Sequence, residues 1–355
     1  MKVLIFIATT IFLLVLSNFV SNDSSIDDSD VNAEEVISVK VYECTEQRES
    51  STCAQQAASF LVSNYPPEKI MSVFEKNISE PYFFKSCHTF LHFIGRELYM
   101  RQKNVAGSMQ KCSFTCFQGC HHGVLEGYFI NKNIPLGDEE AITKEASTIC
   151  GKKQDYPNVE SYYTCLHGLG HGFMFFTDEE LPKSLKMCDA IDSPETIDFH
   201  MCYNGVFMEN YTNLASWDHP SKYIKADDPY YPCNILGEKY LDVCYHDQVI
   251  YVSNLYNHNL SKTINFCKGV PEKYRIGCFT AIGQKRAALS QDQILVWSEC
   301  KELKEDQYIE ACVRGVVLEN FALDKNNRNF CQAVEDEFKD ICFATEAEYL
   351  KRWGL

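Results

Sequence analysis

The chain has 355 residues, 45% of them hydrophobic and 13% aromatic, enough apolar material to fill one large core or two ordinary ones. Its 49 acidic against 33 basic residues give a formal charge of −16, which repels phosphate backbones and anionic lipid surfaces and argues against nucleic acid as a partner. Eighteen cysteines, an even number, match a complete disulfide set in an oxidising compartment better than a reduced cytosolic chain.

Residues 1–21 open with Lys2 and an apolar run from Val3 to Val20, which reads as a secretion signal with small residues at Ser17 and Ser21 for cleavage. A run of about 18 apolar residues is also the lower limit for a membrane span, so the same segment fits an N-terminal anchor. Residues 22–35 are rich in Ser, Asp and Asn and read as a flexible acidic linker, with folded structure expected from Val36. The sequons at Asn77, Asn210 and Asn259 agree with an exported, glycosylated chain. The expected location is therefore extracytoplasmic, either secreted or tethered to the membrane.

In residues 36–176 the histidines concentrate. Cys87-His-Thr-Phe-Leu-His92, Cys120-His-His-Gly-Val-Leu-Glu126 and Cys165-Leu-His-Gly-Leu-Gly-His171 hold six of the ten in the chain. Side chains four apart share a helix face, so His88 with His92, His122 with Glu126, and His167 with His171 each present two ligand groups together. Imidazole and carboxylate donors in such pairs are what zinc, copper or iron sites use, and these six residues are the predicted site of a divalent transition metal. The competing reading makes them structural histidines hydrogen-bonded to backbone, and the protein a scaffold that binds a protein, peptide or glycan.

A minor alternative is haem attachment, since Cys116-Phe-Gln-Gly-Cys120-His121 is a CxxxCH segment one residue wider than the usual spacing. The disulfide alternative pairs Cys112 with Cys120 and Cys87 with Cys116. A metal could activate water with Glu126 or Glu209 as base, but HExxH, GxSxG and paired-carboxylate signatures are missing, so no catalytic residue is assigned. Glycines crowd the same region at Gly119, Gly123, Gly127, Gly168, Gly170 and Gly172. Each costs about 1 kcal/mol in a helix relative to Ala, which implies close packing or a backbone near a ligand, and they are expected near helix starts.

From Cys150 onward, into residues 177–355, cysteines fall in consecutive pairs: Cys150 with Cys165, Cys188 with Cys202, Cys233 with Cys244, Cys267 with Cys278, Cys300 with Cys312, and Cys331 with Cys342. Second cysteines from Cys120 to Cys342 recur every 30 to 45 residues, the size of a helix-turn-helix repeat. Cys202-Tyr-Asn-Gly-Val-Phe-Met-Glu-Asn210 and Cys312-Val-Arg-Gly-Val-Val-Leu-Glu-Asn320 agree at Cys, Gly, Val, Glu and Asn. The predicted architecture is mostly α: disulfide-stapled helix-turn-helix repeats in an α-solenoid-like array. In each unit the first cysteine ends one helix and the second opens the next. At the offsets that carry histidine in the earlier units, the later ones hold Asn204 and Met208, His246 and Ile250, Thr280 and Gln284, and Arg314 and Leu318, so the site is confined to the first repeats. The stapling resembles that of disulfide-linked helical repeats in secreted cysteine-rich bacterial proteins, without their shorter cysteine spacing.

Overall fold

The computed structural model describes residues 28–47, 51–113, 115–116, 119–134, 138–156, 158–191, 193, 195–212, 221–290, 293–323 and 330–353. Among them every regular element is helical and there is no strand, as the mostly α reading requires. The signal or anchor at residues 1–21 lies outside the described residues. Within them no helix is long and apolar enough to cross a membrane.

Two compact units divide at Ser86 and Cys87. The first contains α1 (Asp28–Tyr42), a π-helical turn at Glu43–Gln47, α2 (Ser51–Asn64), α3 (Pro67–Asn77) and the start of α4 (Pro81–Gln102). Its core is Ile37, Val41, Leu61, Ile70, Phe74 and Phe83, none of them exposed. Pro67 sits at the first helical position, where its missing N–H costs nothing and its fixed φ favours the turn. Helix α1 begins inside the segment expected to be linker. Ala33, Ile37 and Val41, four apart, make a buried stripe there, and Glu34 accepts from Lys76 at 2.8 Å. Only Ala33 of that stripe lies within residues 22–35; Ile37 and Val41 fall where folded structure is expected. A disulfide not anticipated from the repeat frame, Cys44–Cys53, ties the π-turn to α2.

The second unit starts at Cys87 and adds α5 (Val105–Met109), α6 (Gly119–Asn131), α7 (Glu139–Ile149), α8 (Val159–Phe176), α9 (Leu181–Cys188) and α10 (Thr196–Thr212). It continues with α11 (Leu241–Leu255), α12 (Leu260–Gly269), α13 (Glu272–Leu289), α14 (Gln293–Cys300), α15 (Asp306–Leu323), α16 (Phe330–Ala333) and α17 (Asp336–Trp353). Starts are written into the sequence: Asn104, Asp138, Asn158 and Asn259 each accept a backbone N–H of the following turn through their side chains. Consecutive long helices pack on one another, α6 on α8, α8 on α10, α10 on α11, α11 on α13, α13 on α15 and α15 on α17. Having a neighbour on each side explains why α8 is apolar almost all round and buried from Tyr162 to Phe176 with few breaks. Phe129, Phe173, Phe207, Phe279, Trp297 and Phe321 form the spine of one continuous core, each fully buried. Helices α8 and α10, on the two sides of residues 176 and 177, make one of the closest contacts in the unit.

All six repeat cysteine pairs form disulfides, and Cys112–Cys120 precedes them. Eight bridges belong outside the reducing cytosol. Cys87 and Cys116 are buried thiols, so the expected bridge between them is not made. With Cys120 bonded to Cys112, haem attachment at the CxxxCH segment loses one of the two sulfurs it needs. In five units the second cysteine does not open its helix, whereas Cys244 and Cys120 lie in the first turns of theirs. Cys165, Cys202, Cys278, Cys312 and Cys342 are each the seventh residue of theirs. Acidic first turns such as Glu160, Glu272 and Asp306 start the helix earlier, where the positive end of the helix dipole favours them.

Burial also bears on the sequons. Asn210 is fully buried, its Nδ2 donating to Tyr223 O at 3.2 Å and its Oδ1 accepting from Ser221 Oγ at 2.5 Å, whereas Asn259 is exposed. Glycan mapping by mass spectrometry of the folded protein, expressed in a host that glycosylates, is expected to find Asn210 unmodified. A glycan there would be incompatible with this packing.

Candidate metal centre

Four long helices bring the site together. Helix α4 presents His88 and His92 one turn apart, with Arg96 on the next turn. Helix α6 carries His121, His122 and Glu126, α8 carries His167 and His171, and α10 carries Asn204 and Glu209. Glycines permit the approach. A Cβ on Gly123 would lie 1.9 Å from His92 O, and one on Gly119 2.3 Å from His88 O. On the other side, a Cβ on Gly205 would lie 1.9 Å from His167 O and one on Gly170 2.1 Å from Cys202 O. These glycines sit within helices as well as at a start, and the reason for them is backbone-to-backbone contact between neighbours. The pairing order rises together, His88 with Gly119 and His92 with Gly123, and His167 with Gly205 and His171 with Glu209, so both helix pairs run parallel.

Hydrogen bonds fix how the rings point. His92 Nδ1 lies 3.1 Å from Glu126 Oε1, and Arg96 donates to Glu126 Oε2 at 2.6 Å. His88 Nδ1 donates to the Cys116 carbonyl at 3.0 Å, since a carbonyl can only accept. Both Nδ1 atoms therefore carry hydrogen, and the two Nε2 atoms, 3.0 Å apart, face each other with lone pairs unless a cation lies between them. The arrangement recurs: His171 Nδ1 is 2.6 Å from Glu209 Oε2 and its Nε2 is 3.0 Å from His167 Nε2. A carboxylate holding the far nitrogen of an imidazole is the support that metal-bound histidines use.

His122 sits between the two pairs. Its ring centroid is 5.3 Å from that of His88, 5.2 Å from His92 and 5.9 Å from His171, and its Nε2 is 3.7 Å from Glu209 Oε2. It is 1% exposed, and neither ring nitrogen has a hydrogen-bond partner. A buried polar group left so costs about 1–3 kcal/mol, which a bound cation would remove.

Among the described residues two groups could hold a metal ion: His88, His92 and His122, and His122, His171 and Glu209. Four of the six residues expected from sequence fall in these groups. Of the other two, Glu126 orients His92, and His167 packs its Nε2 against that of His171. Glu209, considered from sequence only as a base, enters as a donor. Burial drives His121, His167 and His171 down to about 3, and His122 well below the imidazole range with its four neighbouring imidazoles adding to the effect. All four are neutral at physiological pH, the form that coordinates metal. For Glu126, burial pushes the carboxyl up, but the His92 and Arg96 hydrogen bonds and charges outweigh it and hold it below its ordinary value.

A line of polar side chains continues along α10, α11 and α13, where among the described residues no further group could hold a metal ion. Asn204 donates to Asp247 Oδ2 at 2.8 Å; Asp247 Oδ1 meets His246 Nδ1 at 2.7 Å; His246 Nε2 meets Gln284 Oε1 at 2.8 Å. These contacts join α10, α11 and α13 through polar side chains. No protein-family model, curated protein or solved structure matches the chain.

Proposed function

We propose that this is an extracytoplasmic metal-binding protein, an α-solenoid of disulfide-stapled helix pairs that holds divalent zinc, copper or iron on His88, His92, His122, His171 and Glu209. Support for the solenoid comes from the consecutively packed long helices, most of them separated by one short helix, as in helical repeats. Support for the metal comes above all from His122, a neutral imidazole buried at the meeting point of both groups with neither nitrogen hydrogen-bonded. A structural histidine would satisfy at least one of them. Imidazole-rich donor sets with a carboxylate suit zinc, copper and iron rather than calcium or magnesium.

Both nearby carboxylates are engaged with imidazoles, Glu126 with His92 and Glu209 with His171, so neither is placed as a base for water attack. Metal holding or one-electron chemistry therefore suits the centre better than hydrolysis. The test is elemental analysis of the oxidised full chain after incubation with zinc, copper and iron salts, beside a His92→Ala, His171→Ala double variant whose helical circular dichroism matches wild type. Metal retained through dialysis by the wild type and lost by the variant is the expected result. A wild-type chain that retains none of the three overturns the proposal.

A further inference from the structure

The two ligand groups are not independent, because one residue belongs to both. His122 is the only side chain common to His88, His92, His122 and to His122, His171, Glu209. We infer that the centre takes two ions, one per group, and that His122 joins them as a bridging imidazolate. The inference rests on the metal-binding reading above and adds stoichiometry and a bridge to it.

Three observations carry it. First, His122 has two nitrogens to offer: both are buried and neither is committed to a hydrogen bond, whereas the Nδ1 atoms of His88, His92 and His171 are held by Cys116 O, Glu126 and Glu209. Second, the ring stands between the groups, with Nε2 on the side of Glu209 at 3.7 Å and the ring centroids of His88 and His92 at 5.3 and 5.2 Å. Nε2 is the nitrogen shown near Glu209, and the bridge therefore assigns Nδ1 to the group with His88 and His92. Third, the two halves repeat one construction, a histidine pair one turn apart with 3.0 Å between Nε2 atoms and a glutamate on the outer nitrogen of one member. The two groups differ in donors, three imidazoles in one and two imidazoles with Glu209 in the other, and with the central ring shared between them each supplies its own ion with ligands.

The chemistry balances simply. A first divalent ion binds a lone pair of neutral His122; the second takes the other nitrogen as its N–H bond breaks, and the proton leaves to solvent. The bridging ring then carries one negative charge, which, with Glu209 and Glu126, offsets part of the charge of two cations in a buried place.

Copper(II) is the informative probe, because two such ions across an imidazolate couple magnetically and lose paramagnetic signal. The apo full chain, disulfides intact, is titrated with copper(II) while bound metal and the electron paramagnetic resonance intensity per copper are followed. Expected are two retained copper ions per chain, one for each group, with a loss of intensity per copper as the second binds. One copper per chain, or two with undiminished intensity, overturns the bridge while leaving the metal-binding reading intact; no retained copper, zinc or iron overturns both. His122→Ala is expected to abolish the coupled species, and since the wild-type titration decides by itself, a variant that fails to fold leaves the test standing.

Discussion

Gly123→Ala is expected to destabilise the protein by about 3 kcal/mol, at the upper end of what one added methyl group does in a packed interior, and to cost it metal in the group containing His88 and His92. The reason is backbone. The new Cβ would lie 1.9 Å from the carbonyl oxygen of His92, 2.6 Å from its carbon and 2.8 Å from its Cα, so no rotamer change relieves the clash and α4 must move away from α6. That movement separates His92 from His122 and Glu126, which α6 carries. Gly315→Ala makes the matching control, since its Cβ would meet Thr280 O at 1.9 Å in α13, far along the chain from the histidines. A similar loss of melting temperature with metal content unchanged is expected there. Gly237→Ala marks the lower bound: its φ of −67° is open to any residue and the nearest atoms, on the Tyr240 ring, lie 3.9 Å away, so the change should be close to neutral. Thermal melts with metal analysis on the three variants check the ordering, and a Gly123→Ala protein that melts with wild type and keeps its full metal would show that the helices are not locked as described.

Much of this was legible in the sequence for physical reasons that can be named. Cysteine pairing could be read from Cys150 onward because each staple is local and recurs with the helix pair, so spacing alone identifies the partner. The histidine face was legible because i and i+4 positions coincide on any helix, whatever the tertiary structure. Glu209 was harder. It lies seven residues after Cys202, whereas the histidine frame uses offsets of two and six, and only the packing of α10 on α8 brings its carboxylate to His171. The shared Glu-Asn ending of the Cys202 and Cys312 segments had marked it as part of the repeat, but repetition does not reveal chemistry. Cys44–Cys53 stood outside the frame, with a π-turn in place of a short helix. Likewise nothing in composition separates Glu126, which holds a ring in place, from Glu209, which can also coordinate; that distinction is one of distances between helices.

Removing the Cys150–Cys165 bridge as Cys150→Ala, Cys165→Ala should lower stability by roughly 3 kcal/mol and weaken metal retention, whereas Cys331→Ala, Cys342→Ala should leave metal untouched. Chain entropy alone does not separate them. The sequence separations are 15 and 11, which differ by only about 0.3 kcal/mol in closure entropy. Position in the stack decides. Helix α7, 11 residues long, is too short to persist by itself, and the bridge ties its end to α8, which bears His167 and His171 and packs against α6 and α10 on its two sides. Loosening α8 disturbs both metal groups at once. The last bridge instead ties the four-residue α16 to α17, whose helix neighbours are α16 and α15. In a stack of nearest-neighbour contacts a lost terminal staple frays the end and leaves distant units as they were. Circular dichroism melts and metal analysis of the two double variants would therefore diverge: a lower main transition with reduced metal for the first, and a small early loss of helix with full metal for the second. Equal effects of the two on metal content would mean that the second unit unfolds as one body and that the staples act on it globally.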